Sequence, residues 1–184
     1  MRVIAGAYKG RRLKTPTWAG LRPTSDKLRE TLFNVLAPRI GGARVLDGYA
    51  GTGAVGIEAL SRGAAHVTFV EADRQARQLI TDNVTHCGIP AGCVIIRSSF
   101  DRLGTFDIVL LDPPYDVRPD DALTMAAALV SVDANGLLVL EHARRAETPA
   151  AIAGLVRTRE IRSGDSGLTI YAVGSQKSEV LVRS

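Results

Sequence analysis

From residue 44 onward, short apolar runs alternate with longer stretches of helical periodicity. Arg44 to Asp47, His66 to Val70, Cys93 to Arg97, Phe106 to Leu111 and Leu137 to Leu140 are brief and rich in β-branched or aromatic residues, which predicts strands. Between them, Ala54 to Arg62 is stopped by Gly63, Asp73 to Cys87 by Gly88, and Pro119 to Val132 is opened by Asp120 and Asp121, which predicts helices. Alternation of this kind predicts an α/β fold with a mostly parallel, doubly wound sheet, whose ligands sit outside the carboxyl ends of its strands. Val156 to Arg162 and Leu168 to Val173, joined across Gly164-Asp165-Ser166-Gly167, predict an antiparallel pair at one edge and bring the expected strands to seven.

The first residues have their own pattern. Arg2 to Gly6 and Arg12 to Thr15 are strand-like pieces around Gly10, and Pro16, Gly20 and Pro23 interrupt the next stretch, so a small β-hairpin and an extended crossing are expected. Thr24-Ser25-Asp26 offers oxygens to cap a helix through Leu28, Leu32, Val35 and Leu36, ended by Pro38 and Gly41-Gly42. The expected organisation is an N-terminal arm over residues 1–23 and an α/β domain over residues 24–184.

Composition narrows the class. The 184 residues suit about one domain, with no repeat and no low-complexity linker. The apolar stretch from Ala122 to Val132 is too short to span a bilayer, and the N-terminus has no signal-peptide core, so a soluble, cytoplasmic protein is expected. Cys87 and Cys93 have neither metal-ligand nor disulfide-scaffold spacing, and His66, His86 and His142 lie far apart, so no metal site is expected. The net charge of +4 is unevenly placed: residues 1–30 carry eight Lys or Arg against Asp26 and Glu30, leaving the rest of the chain slightly acidic. A basic arm suits a phosphate backbone, because clustered cations gain affinity by releasing condensed counterions. A solvated surface arm is the plainer alternative.

Three strand ends carry candidate chemistry. After the first strand, Asp47-Gly48-Tyr49-Ala50-Gly51-Thr52-Gly53-Ala54-Val55-Gly56 lets a ligand approach the backbone at Gly51 and Gly53, with a helix N-terminus opening toward it. Glu71 ends the second strand, where a carboxylate can accept from ribose hydroxyls. Gly51, Gly53 and Gly56 also match the dinucleotide fingerprint, so a nicotinamide-linked oxidoreductase is a rival reading. Against it, the loop between strand and glycines is wide, and an acidic Asp47 repels phosphate while favouring a cationic ligand such as S-adenosylmethionine. Ser98-Ser99-Phe100-Asp101 comes after the third strand, where Phe100 can cover an adenine and Ser99 meet its edge.

Asp112-Pro113-Pro114-Tyr115 comes directly after the fourth strand. Two prolines remove two backbone donors and fix two φ angles, leaving rigid carbonyls that can accept. A carboxylate, free carbonyls and an aromatic face suit a flat base bearing an amino group, whose N–H bonds meet Asp112 and the Pro113 carbonyl while its ring stacks on Tyr115. A strand-to-turn punctuation is the plainer reading.

In this order on successive strand ends, these motifs resemble the class I (Rossmann-like) S-adenosylmethionine-dependent methyltransferases that modify exocyclic amino groups. With Gly6-Ala7-Tyr8-Lys9-Gly10-Arg11-Arg12-Leu13, Leu21-Arg22-Pro23-Thr24 and Arg29-Glu30-Thr31-Leu32-Phe33-Asn34, the chain is similar to the RsmD family over most of its length, more weakly after about residue 145. The resemblance implies methylation of the 2-amino group of one guanine in 16S rRNA, in a small-subunit particle or assembly intermediate, by a monomer. It implies that Asp47, Ala50, Gly51, Gly53, Glu71, Ala72, Ser99 and Phe100 bind S-adenosylmethionine, that Asp112, Pro113, Pro114 and Tyr115 hold the target base, and that Arg22 and Thr24 close the site from the arm. Lys9, Arg11, Arg12, Lys14 and Arg22 are the expected phosphate contacts. Many adenine-modifying members of the wider class carry Asn where this chain has Asp112. The carboxylate, an acceptor only, does not by itself separate guanine from adenine or cytosine, and can serve as base or only as acceptor. Guanine rests on the family resemblance, and DNA or protein substrates stay open on the core motifs alone.

Overall fold

The structure is a computed structural model that describes residues 1–18, 25–114, 116–133 and 135–174. Strands β1 (Arg44–Gly48), β2 (His66–Val70), β3 (Cys93–Ile96), β4 (Ile108–Leu111) and β5 (Leu137–Ala143) alternate with helices and pair in parallel in the order β3-β2-β1-β4-β5. Beyond β5 the sheet continues antiparallel through β8 (Ser166–Val173), β7 (Leu155–Ser163) and β6 (Ala151–Ile152). The helices are α1 (Asp26–Ile40), α2 (Ala54–Ser61), α3 (Arg74–His86) and α4 (Pro119–Ala127). None among the described residues is long and apolar enough to cross a membrane.

Period-two alternation assigns the strand side chains to two layers. Val45, Ile108, Leu110 and Val139 pack with Leu32, Phe33 and Leu36 of α1 and Ile57 of α2, while Leu46, Val109, Leu111 and Leu138 pack with Leu123 and Ala126 of α4. Because helices cover both faces, every residue of β4 is buried, as a parallel strand requires.

The differences from the expected elements have local causes. The seven expected strands are present, and an eighth, the two-residue β6, joins β7 through Ala153 and Gly154, whose φ angles of +48° and +83° make a two-residue hairpin. Helix α4 ends at Ala127 rather than Val132, because Leu129 and Val130 turn into the core. There Phe106 N–H donates to the Leu129 carbonyl (2.7 Å) and Ser131 N–H to the Phe106 carbonyl (2.8 Å). This isolated pairing takes Phe106 out of β4. Helix α1 runs through Pro38 to Ile40, since a proline in the last turn removes only one intrahelical bond.

The arm folds back on itself at a single antiparallel bridge between Arg2 and Arg12, with Val3 N–H donating to the Arg11 carbonyl and Gly10 N–H to the Val3 carbonyl, both at 2.9 Å. Most of the expected crossing, from residue 19 to 24, lies outside the described residues. What fastens the arm is a buried polar cluster on α2. Glu58, fully buried, accepts from the N–H groups of Ile4 (2.8 Å) and Ala5 (3.0 Å) and from Arg62 Nε (2.7 Å), and lies 3.9 Å from Arg29 Nε. Arg29, equally buried, donates through Nη2 to the Arg2 carbonyl (2.6 Å) and to Asp26 (2.9 Å). It is therefore not one of the arm's surface cations, although it stands within the basic N-terminal run. Ser61 continues the contact: Ala7 N–H donates to its carbonyl (2.7 Å), and a Cβ on Gly6 would lie 1.8 Å from that oxygen.

Removing one partner of such a cluster strands the other's charge without water. Glu58→Ala should lower the unfolding free energy by about 3–5 kcal/mol in denaturant titrations. A loss under about 1 kcal/mol would place the cluster among ordinary surface pairs.

Candidate active site

The parallel strands end level with one another: Gly48 pairs with Val70 and with Leu111, Val70 with Ile96, and Leu111 with Leu140. The segments beyond these residues therefore emerge along one edge of the sheet, and they carry the candidates expected from the sequence.

After β1 the chain turns through left-handed conformations at Tyr49 (φ +64°), Gly51 (+54°) and Gly53 (+75°), the last being the residue before α2. The glycines serve different ends. A Cβ on Gly56 would meet the Phe69 ring at 2.2 Å and Asp47 Oδ2 at 2.9 Å, so this residue sets the approach of α2 to the sheet. A Cβ on Gly48 would meet Leu111 at 2.8 Å and Phe100 at 3.0 Å. Phe100, in a 3₁₀ turn over Phe100–Arg102, thus lies against the end of β1, and its ring meets Tyr49 edge-on with centroids 5.6 Å apart. Burial also pushes the Tyr49 hydroxyl pKa up.

Two carboxylates hold this loop. Glu71, half-buried, accepts from Gly51 N–H through Oε2 and from Asp73 N–H through Oε1, both at 2.8 Å, so it clamps the glycine loop to the start of α3. Each oxygen keeps a second lone pair for a ligand hydroxyl. Arg77 holds the same turn from behind, donating to the carbonyls of Glu71 (2.9 Å) and Ala72 (2.6 Å). Asp47, 4 % exposed, accepts from Gly56 N–H at 2.8 Å in the first turn of α2. Burial pushes its pKa up to about 8; the Gly56 hydrogen bond opposes the shift, and the charges of Asp112 and Glu71 add to it.

Ala72 and Ser99 line a hollow of about 360 Å³ with Arg97, Ser98 and Arg102, between the ends of β2 and β3. A larger hollow of about 460 Å³ lies at the opposite edge, among Arg39, Gly42, Asp107 and Asn135, away from every loop described above. Asp112 is half-buried one residue beyond β4, and its N–H reaches toward the Gly48 carbonyl (3.5 Å). Pro113 is half-buried; Pro114 accepts from Val117 N–H at 2.9 Å. Tyr115, Arg22 and Thr24 lie outside the described residues. Ala50 is buried, its N–H donating to the Val70 carbonyl at 3.0 Å.

On the arm, Lys9, Arg11, Arg12 and Lys14 are all exposed. Arg11 stacks over the Tyr8 ring at 5.1 Å, and Lys14 pairs with Asp82 of α3 at 3.4 Å. One buried residue links this surface to the glycine loop. Asn83 of α3 accepts from Lys14 N–H (2.7 Å) and donates to the carbonyls of Lys14 (3.2 Å) and Thr52 (3.0 Å). Sequence reasoning missed Tyr49, Arg77 and Asn83. A non-glycine between glycines could have signalled Tyr49, whereas Arg77 and Asn83 act through backbone groups distant in the chain or the turn, and leave no motif.

Known proteins resemble this chain in both sequence and fold. The profile of the family described as Conserved hypothetical protein 95 matches residues 1–172. The Haemophilus influenzae protein named ribosomal RNA small subunit methyltransferase D is 39 % identical over 150 residues, covering 77 % of this chain and 78 % of that protein. Its Escherichia coli K12 namesake is 44 % identical over 119 residues, or 62 % and 60 % of the two chains. The solved structure of the Escherichia coli protein yhhF superposes with a TM-score of 0.82 at 33 % identity, covering 96 % of this chain and 99 % of that one. A match over nearly the whole chain, with the fold in agreement, places this protein in the Conserved hypothetical protein 95 family, the RsmD family of rRNA methyltransferases.

Proposed function

We propose that this protein transfers the methyl group of S-adenosylmethionine to the exocyclic 2-amino group of one guanine in 16S rRNA. The observation that carries the reading is the level ending of β1, β2 and β4, which brings the clamped glycine loop, Glu71 and Asp112 to one edge of the sheet. The RNA class is supported by relatives named as small-subunit rRNA methyltransferases. Guanine N2 as the acceptor follows from the family.

The residues present fit the cofactor. Glu71 retains acceptor capacity for ribose hydroxyls, and the hollow lined by Ala72, Ser98 and Ser99 beyond the ends of β2 and β3 suits adenine. Glu71 and Asp112 make a negative field that favours a cation, while Asp47, protonated below about pH 8, serves as a buried acceptor for Gly56 N–H. A dinucleotide fits worse, because the Gly51 N–H that a pyrophosphate would need already serves Glu71. When bound, S-adenosylmethionine supplies an electrophilic methyl on a sulfonium.

An aromatic amine is a poor nucleophile because its lone pair is delocalised into the ring. Asp112 and the Pro113 carbonyl accept its two N–H bonds, favour a pyramidal nitrogen and aim the lone pair, which is chiefly positioning and electrostatic help. Asp112 takes the proton during or after transfer. Tyr115 stacks on the extruded base, worth about 1–3 kcal/mol. Lys9, Arg11, Arg12, Lys14 and Arg22 of the arm (residues 1–23) contact phosphates, with Arg22 and Thr24 closing the site. The exposed large apolar side chains among the described residues are Val94 of β3, Met125 of α4, Val132 in the turn after it and Val156 of β7, which fits a monomer; the proposed substrate is a small-subunit particle in the cytoplasm.

The test is transfer of labelled methyl to small-subunit particles from cells lacking this activity. Asp112→Ala should lower the rate about a hundredfold or more while cofactor affinity, measured by calorimetry, falls far less, by less than about tenfold; a variant that still turns over at the wild-type rate removes Asp112 from the chemistry. Replacing Arg11 and Arg12 together by alanine should weaken RNA binding and reduce the slope of log affinity against log salt by roughly 1.4–1.8. An unaltered slope would take these arginines off the RNA surface.

Asp47 also gives a pH signature. It ionises near 3.8 in an unfolded chain and near about 8 in the folded protein, so between those values the folded state keeps a proton that the unfolded chain has lost. Stability of the cofactor-free protein therefore falls as pH rises through that window. Asp47→Asn should be more stable than wild type by a margin that grows from about pH 5 to about pH 8 in urea titrations. Parallel curves for the two proteins would contradict the assignment.

A further inference from the structure

Neither Asp112 nor the prolines explain why guanine should be chosen over adenine or cytosine, since all three bases present an amino group with two N–H bonds. The bases differ at the ring nitrogen beside that amino group. Guanine N1 carries a hydrogen and donates, whereas adenine N1 and cytosine N3 carry lone pairs and accept. A second carboxylate next to Asp112 would read this difference, because an ionised carboxylate can only accept.

The sheet supplies one. The last register pair between β4 and β5 is Leu111 with Leu140, so Asp112 and Glu141 are the next residues on neighbouring strands, about 5 Å apart by ordinary strand spacing. Side-chain alternation sends both to the same face. Leu110 and Val139 belong to the layer under α1 and α2, and Asp112 and Glu141 each stand two residues further along, as long as each strand keeps its pleat. For Glu141 the direction is fixed by the β5–β8 ladder, where it lies opposite Leu168, a member of that same layer. Its flanking residues Leu140 and His142 are buried, but Glu141, two residues before the end of β5, is only half-buried. His142 is already engaged on the other face, with its ring nitrogens 2.9 Å from Thr169 Oγ1 and the Ala143 carbonyl.

We propose that Glu141 determines base specificity by accepting the N1–H of the target guanine, beside the amino group held by Asp112. This inference rests on the methyltransferase reading above. The carboxylate pair satisfies two donors on the Watson–Crick edge of guanine and sets a lone pair against a lone pair for adenine or cytosine.

The test uses small-subunit RNA carrying a single guanine or 2-aminopurine at the position found methylated. The analogue keeps the 2-amino group but has an acceptor at N1. Wild type should methylate guanine at least about tenfold faster than 2-aminopurine, and Glu141→Gln, which can donate or accept, should bring the two rates within about threefold. A residue with a purely structural role would slow both substrates alike and leave the ratio unchanged. Equal wild-type rates on the two RNAs would overturn the proposal without any variant. If wild type labels neither RNA, the methyltransferase reading itself fails and this inference falls with it.

Discussion

A buried carboxylate must be met by donors, and two such carboxylates fix the short helix on which the rest of the site depends. At its first turn, α2 gives the Gly56 N–H to Asp47 of β1; in its body, Glu58 takes N–H groups from the arm and the guanidinium of Arg62. One helix of eight residues thus carries the glycine loop at one end and the arm along its side. Neither contact tolerates much change. Gly56 has no room for a side chain against Phe69, and Gly6 has none against Ser61.

Charge is separated along the same lines. Carboxylates gather at the carboxyl edge of the sheet, where burial first, and then the charges of Asp112 and Glu71, raise the cost of ionising Asp47, and the Gly56 N–H offsets only part of it. Exposed cations gather on the arm. The acidic edge and the basic arm are thus different surfaces of one protein, and Asn83 joins them by bonding both Lys14 of the arm and Thr52 of the loop.

Much of this was legible in the sequence because it is local. The β-strands and helices from residue 44 repeat at their own periods, and Glu71 and Asp112 stand where a parallel sheet puts its ligands, directly after apolar runs. Ser25 caps α1 as its position suggested, accepting from Leu28 N–H. What escaped is non-local or a competition between local signals. Glu58 reads as one acid in an ordinary helix until the arm is seen to donate to it across more than fifty residues. Arg29 reads as part of a basic surface until it is seen to be fully buried. Residues 128–131 look helical by composition, but their apolar side chains and the free backbone of Phe106 favour extended pairing instead.

The central claim is the identity of the acceptor atom. It is tested most directly by digesting small-subunit RNA that this protein has methylated in vitro and separating the labelled nucleosides. Label in N2-methylguanosine alone is the predicted result. Label in a methylated adenosine or cytidine, or label found only in protein or DNA, would contradict the claim.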